Sequence, residues 1–301
     1  MLSESLPTAD LLDSFELSLR AKGRSPRTIQ SYRQTADQFD AYLAANHLPT
    51  DVNEIRKPHI EAYIASILET RSSATARLRY ASLQQFFKWL EAEDEIDENP
   101  MARTVPPTVV EKPVPVLSMD EIRALLAACK TSNPFEAARD EAIIRFFLDT
   151  GVRLGEMTGL KMSDVDLKLH VAVVMGKGSR FRTVPFDDKT ASTLDRYRRR
   201  RLRHKYVQSE SLWLGVRGPL SDSGITQIIR RRSADAGLPR IHAHQFRHTF
   251  AHRWLSMGGN EGDLQRIAGW SSPQMLQRYG ASAAEERAQE AHRRIGLWED
   301  L

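Results

Sequence analysis

Of the 301 residues only one is a cysteine, Cys129. That excludes an internal disulfide and any metal site built on several thiolates, and it fits a reducing compartment. Long apolar runs are lacking too: charges interrupt every hydrophobic stretch well before the ~18 residues that a membrane span needs. The N-terminus, MLSESLPTAD, has neither a basic segment nor an apolar block, so no secretory signal is expected. No internal repeat and no low-complexity tract is visible. What is present is a globular composition, 41% hydrophobic, in a chain long enough for two domains with separate cores.

Charge is unevenly distributed. Residues 1–100 hold 11 Lys+Arg and 16 Asp+Glu, a net of −5; the remaining residues hold 32 and 23, a net of +9, and the two sum to the +4 of the whole chain. The sequence pI is about 9.2. A basic C-terminal two-thirds suggests a polyanionic partner, although charge alone is equally consistent with a solvated basic surface.

Residues 1–100 read as a helical bundle of four or five helices. Ser25-Pro26 opens one helix, and Ile29, Tyr32, Ala36, Phe39 and Leu43 follow on one face. A shorter helix runs from His59 to Leu68. Another opens at Ser73, with Leu83, Phe87 and Leu90 as its buried stripe. Five prolines between Pro100 and Pro115 then forbid a helix, so residues 101–116 are expected to form a semi-rigid interdomain linker. The second domain, 117–301, begins with a capping box, Ser118 and Glu121, ahead of Ile122, Leu125 and Leu126. A helix is expected from about Glu136 to Thr150. The stretch VAVVMGKGSRFRTVPF predicts two β-strands around a turn at Gly176–Ser179, and the pattern is helical after Asp187. The class is mainly α with a small antiparallel sheet.

The stretch HAHQFRHTFAHRWL, from His242 to Leu255, carries the chemistry most openly. Its i,i+4 histidines have a spacing that can hold zinc, but Gln245 stands where the general base of a metalloprotease helix would be, and no third ligand is evident. No metal is therefore expected. His244 and Arg247 are i,i+3 and share a helix face, with His248 and His252 read as lying off it; an arginine fork beside a histidine suits a phosphate. Three further segments extend the set. TGVRLGE puts Arg153 and Glu156 three apart just past a helix, GKGSRFRTVP puts Lys177 at a hairpin tip, and LQRIAGWSSPQMLQRYG supplies Trp270 and Tyr279.

Taken together, Thr150–Glu156, the lysine hairpin, His244–Arg247 followed by HTFA, and a tyrosine 32 residues after that arginine resemble the tyrosine recombinases, also called the phage-integrase family. The resemblance extends over nearly the whole chain, with residues 1–100 similar to the family's helical, SAM-like core-binding domain in an Xer-like two-domain layout. It implies a site-specific recombinase that cuts and rejoins DNA through a 3′-phosphotyrosyl intermediate, for integration or excision of a mobile element or for Xer-type resolution. In that reading Tyr279 is the nucleophile and Arg153 and Arg247 stabilise the phosphate. Lys177 is the acid for the leaving oxygen, His244 helps deprotonate Tyr279, and Glu156 orients Arg153 or His244 from behind. Trp270 stands where many members have histidine; it can donate a hydrogen bond but not shuttle a proton, and a plain core tryptophan is the other reading.

No cofactor is expected. The partners implied are double-stranded DNA target sites and three further copies of the chain in a synaptic homotetramer, from a protein that is monomeric in free solution, cytoplasmic, at the nucleoid and without a membrane. Arg24, Arg27, Thr28 and Arg33 lie at or near one helix start, and Ser73, Arg77 and Arg79 one helix later, where free backbone N–H groups favour phosphate; Arg180 joins this DNA-binding set. The run Arg196–Lys205 is expected to be a solvated helix near the DNA backbone. With so short a lead-in no added arm-binding domain is expected, and Ile295, Leu297 and Trp298 are expected to dock on a neighbouring protomer. Two alternatives remain at this point: a type IB topoisomerase-like strand transferase and a non-catalytic DNA-binding regulator.

Overall fold

The computed structural model describes residues 6–109, 115–176, 180–270, 276, 288–289 and 292–295. Lys177, Tyr279, Leu297 and Trp298 lie outside the described residues. Contacts divide the chain into two compact units, Met1–Lys112 and Pro113–Leu301.

The first unit is built from a 3₁₀ turn, Thr8–Leu11, and helices α1 (Leu12–Ala21), α2 (Pro26–Ala45), α3 (Lys57–Thr70) and α4 (Ser73–Ala92). Serines set two of the helix starts. Ser25 Oγ accepts from the Thr28 backbone N–H at 3.3 Å with Pro26 in the first turn, and Ser72 Oγ accepts from Thr75 N–H at 3.2 Å. The expected stripe is in place: Phe39, Leu43, Leu83, Phe87 and Leu90 are wholly buried. Phe15 and Phe86 complete an aromatic centre, their rings 5.2 Å apart and edge-on.

The proline-rich stretch does not start as a free tether. Met101 is buried in the bundle core, the Tyr80 hydroxyl lies 3.0 Å from the Thr104 carbonyl, and Arg77 donates to Pro107 O at 3.2 Å. Proline sets the backbone path, but it does not prevent side chains between prolines from packing on a helix bundle.

The second unit contains α5 (Met119–Ala127), α6 (Pro134–Thr150) and α7 (Leu154–Gly159). A three-stranded antiparallel sheet follows, of β1 (Val165–Asp166), β2 (Val171–Met175) and β3 (Phe181–Pro185). Then come α8 (Asp188–Arg201), a two-stranded ladder of β4 (Leu214–Gly215) and β5 (Gly218–Pro219), α9 (Asp222–Asp235), α10 (Ala243–Ser256) and α11 (Glu261–Ala268). The Ser118–Glu121 capping box forms as expected. Phe146, Phe147, Trp213 and Phe246 fill the core.

Two expectations need correction. The pattern after Asp187 is not helical throughout, because residues 202–221 form a loop with the β4–β5 ladder. The arginine run is not uniformly solvated either. Arg201 is 3% exposed and caps that loop, donating to the carbonyls of Val207, Ser209 and Ser211 at 3.0, 2.6 and 2.8 Å. A loop with this many inward carbonyls needs a buried multiple donor, and a guanidinium supplies one.

Candidate active site

The site is assembled around the C-terminal end of α11. Gly269 ends that helix in the left-handed region, with φ +65°. The last carbonyls of a helix have no partner within it and carry its negative partial charge. Here three consecutive carbonyls each receive an arginine from a different element. Ile267 O accepts from Arg182 Nε at 2.7 Å, Ala268 O from Arg247 Nη2 at 2.6 Å, and Gly269 O from Arg153 Nη2 at 3.2 Å.

Arg247 sits on α10, five residues into the helix, and is 1% exposed. Its second nitrogen donates to Gly151 O at 2.8 Å, and its guanidinium lies 5.2 Å from the centre of the Trp270 ring. Gly151 is the left-handed C-cap of α6, with φ +59°. A Cβ there would meet Phe250 Cδ1 at 2.5 Å, so the sequence must keep glycine at this point to deliver the carbonyl to Arg247.

Arg153 is the N-cap of α7. Glu156, one turn on, accepts from the Arg153 backbone N–H through Oε2 and from Arg153 Nη1 through Oε1, both at 2.8 Å. The expected partnership of Glu156 with Arg153 is therefore direct. Arg182 approaches the same carboxylate from β3, donating Nη1 to Oε1 and Nη2 to Oε2 at 2.8 Å each, a paired fork. Burial raises the Glu156 carboxyl, but the Arg182 hydrogen bonds, the Arg153 backbone N–H, the Arg182 charge and the Arg153 side-chain hydrogen bond outweigh it and hold the carboxyl below its usual range. Two guanidiniums, of Arg153 and Arg182, thus share one carboxylate, and the pair of cations outnumbers it.

The sequence contains a signal for Arg182 that the motif reading passes over. On β3 it shares the inward face with buried Val184, two residues on, and β2 places it opposite Val174. An arginine on the inward face of a short strand needs a buried acceptor. The start of the hairpin also reaches the site, since a Cβ on Gly176 would stand 3.5 Å from Glu156 Oε1.

His244 is exposed in the first turn of α10. His248 does not lie off its face, as the sequence suggested. The two rings meet edge-on with centres 4.6 Å apart, and His248 is 4% exposed. The i,i+4 step is only about 40° of helical rotation, less than the i,i+3 step between His244 and Arg247. Trp270 is a core residue that also touches Arg247. It is 5% exposed and packs with Ala251, Leu255, Leu264 and Ala268, while presenting its ring to Arg247. Among the described residues no cluster of His, Cys, Asp or Glu could hold a metal ion.

In the first unit, Arg24, Arg27 and Arg77 are exposed, as is Arg180 in the second. Thr28 and Ser73 lie in the first turns of α2 and α4, with the Thr28 hydroxyl 2.8 Å from Ser25 Oγ. Two members of the expected DNA-binding set are held by their own fold. Arg33 pairs with Asp13 at 2.5 Å and Glu16 at 2.9 Å, and Arg79 donates to Thr35 Oγ1 at 2.8 Å.

Arg153 and Arg247, fixed on adjacent carbonyls, form a cationic cluster whose geometry suits a phosphate. Two family profiles match. The Phage integrase family profile matches residues 115–286, and that of the Phage integrase N-terminal SAM-like domain matches residues 11–97. Tyrosine recombinase XerC of Corynebacterium efficiens is 31% identical over 273 residues, covering 90% of this chain and 86% of the relative. Tyrosine recombinase XerD of Listeria innocua is 27% identical over 277 residues, covering 90% and 93%. Among solved structures, the XerA recombinase shares 28% identity at a TM-score of 0.53, covering 94% of this chain and 98% of that one. XerH bound to a palindromic difH substrate shares the fold at a TM-score of 0.74 with 17% identity, covering 95% and 84%. The chain belongs to the phage integrase family, the tyrosine recombinases.

Proposed function

We propose that this chain is a site-specific DNA recombinase whose Tyr279 Oη attacks a backbone phosphorus, breaking the bond to the 5′ oxygen. The products of that step are a 3′-phosphotyrosyl link and a free 5′-hydroxyl. Arg153 and Arg247 hold the non-bridging oxygens as negative charge builds on them, and fixed cations at that position act on the transition state more than on the ground state. Lys177 gives a proton to the departing 5′ oxygen. His244, at the exposed start of α10, takes the proton from Tyr279, whose ordinary pKa near ~10 leaves little phenolate at neutral pH. A 5′-hydroxyl from a second duplex then reverses the attack, so the energy of the broken bond is kept and no nucleotide is consumed.

The observation that carries this reading is the convergence of Arg153 and Arg247 on adjacent carbonyls, Gly269 O and Ala268 O. Two guanidiniums fixed side by side suit the non-bridging oxygens of one phosphate. The wider reading draws on the relatives. A lambda integrase tetramer bound to a Holliday junction has the same fold, which supports four protomers acting on paired duplexes. The Xer names of the sequence relatives support resolution at paired sites over integration or excision of a mobile element. The single cysteine fits a reducing cytoplasm, and the DNA-bound structures of similar fold support a location at the nucleoid; among the described residues no helix is long and apolar enough to cross a membrane. The domain assignment follows the same reading: residues 1–100 bind the core site, 101–116 connect, and 117–301 carry the chemistry.

The test is a nicked suicide duplex that traps the covalent intermediate. Wild-type protein is expected to give an adduct that survives denaturation, in EDTA as well as in magnesium. Tyr279→Phe is expected to bind the duplex and give none, and Arg153→Ala to lower the rate by ~10²–10³-fold. An adduct from Tyr279→Phe would move the nucleophile elsewhere. Relaxation of a plasmid lacking any target site would favour the topoisomerase reading instead.

A further inference from the structure

We propose that Arg182 is a positioning residue for strand cleavage: from β3 it fixes the Glu156 carboxylate and the end of α11 together, and so aims the Arg153 guanidinium at the phosphate. The inference rests on the strand-transfer reading above and assigns a role to a residue outside the set that touches DNA.

The geometry is specific. All three guanidinium nitrogens of Arg182 are engaged, two by Glu156 and one by Ile267 O. Its side chain is 13% exposed, against 40% for Arg153, so Arg182 is behind the carboxylate and Arg153 in front of it. Space confirms the fit, because a Cβ on Gly269 would stand 3.0 Å from Arg182 Cδ and Nε. The turn that carries Gly269 O to Arg153 therefore closes directly on the Arg182 side chain.

The chemistry explains why a second cation is placed there. Glu156 alone would be a nearly buried carboxylate with a single, partly exposed partner. Such a group is costly to keep ionised. With Arg182 behind it, the carboxylate stays charged and immobile. Arg153 can then use one edge for Glu156 and Gly269 O while its outer face meets the substrate. Among the described residues, the charged groups facing Glu156 are Arg153 from its own helix cap and Arg182 from β3; α9, which also packs on α7, brings no ion pair to it.

The test compares Arg182→Gln and Arg182→Lys with wild type in single-turnover cleavage of the suicide duplex, with DNA affinity measured separately. Arg182→Gln is expected to bind DNA within about twofold of wild type and to cleave ~100-fold more slowly, the scale of a misaimed catalytic group. Arg182→Lys, which keeps the charge but not the fork, is expected to recover part of that loss. The acid limb of the cleavage profile should move to higher pH in Arg182→Gln, because the carboxylate then keeps only Arg153 and protonates more readily as pH falls. A wild-type rate in either variant would overturn the proposal. So would a loss equal in both variants with an unmoved acid limb, which would mark a purely structural role. If Arg182→Gln does not fold, Arg182→Lys decides: cleavage at the wild-type rate overturns the proposal, and a slower rate with a raised acid limb supports it. If wild-type protein forms no adduct at all, the strand-transfer reading fails. Carboxyl ¹³C titration of Glu156 then tests Arg182 separately: an identical curve in wild type and Arg182→Lys would end its positioning role as well.

Discussion

Trp270 packs in a small core and at the same time lies against the Arg247 guanidinium. Its ring is the floor under Arg247 and also the lid of a small cluster with Leu255 and Leu264. Trp270→Ala removes both, leaving a cavity and a guanidinium without a lateral support. Strand exchange is expected to fall by at least tenfold, with a stability loss of ~3–5 kcal/mol by denaturant titration. Trp270→His fills less of the cluster but can still face the guanidinium and donate to phosphate. Its cleavage rate should lie between the other two, and equal rates in all three proteins would remove Trp270 from the site. At this scale the sequence was informative where a residue's chemistry is visible in its type. Arg153, Glu156 and Arg247 stand out by spacing. Arg182 was overlooked because its importance comes from which side of a strand it faces, and the carbonyls of residues 267–269 were invisible because every residue has one.

At the scale of elements, buried charge ties α6 to α9. Asp140 is fully buried on α6 and accepts from Arg139 Nε at 2.8 Å and from Arg232 Nε and Nη2, on α9, at 2.8 and 2.7 Å. Asp140→Ala leaves Arg139 buried without its anion and takes from Arg232 one of its two carboxylates, Asp235 remaining at 2.8 Å, and a loss of ~3–5 kcal/mol is expected, read by urea unfolding. Arg139→Met with Asp140→Leu and Arg232→Met should lose much less, because the charges leave together. Helix starts were legible because serine caps and prolines mark them locally, as at Ser25, Ser72 and Ser118. The β4–β5 ladder was not, since its strands span two residues each and depend on Arg201 and the Tyr197 hydroxyl, which donates to Leu212 O at 2.9 Å. A hydrophobic period needs more residues than that to be recognised.

At the scale of the whole molecule, the two parts of the sequence differ in sign, −5 over residues 1–100 and +9 beyond. Polyanion binding that relies on the basic part should weaken steeply with salt. A plot of log affinity against log salt is expected to be linear and negative, with a slope that falls by about 1 for each phosphate-contacting cation removed. Arg180→Ala tests this directly, as an exposed residue beside the hairpin. An unchanged slope would place Arg180 away from the DNA. The overall class, helical with a small sheet, was readable from long amphipathic periods. The joining stretch was less so, because proline content reports backbone stiffness and says nothing of Met101 finding a core.

The end of α11 has a consequence for how such a chain can change over generations. Its three acceptors belong to the main chain, so replacing the side chains of Ile267 or Ala268 cannot delete them. The hydrogen bonds themselves are therefore expected to survive a change of side chain at Ile267 but not a change of length in the helix. One inserted residue within α11 would turn the terminal carbonyls by about 100°, and three arginines from three separate elements would lose their places at once. Inserting a single alanine after Asp263 is therefore expected to abolish cleavage while DNA binding persists, whereas Ile267→Val should pass unnoticed in the same assay. The alignment of related chains should show gaps on either side of this helix and none inside it.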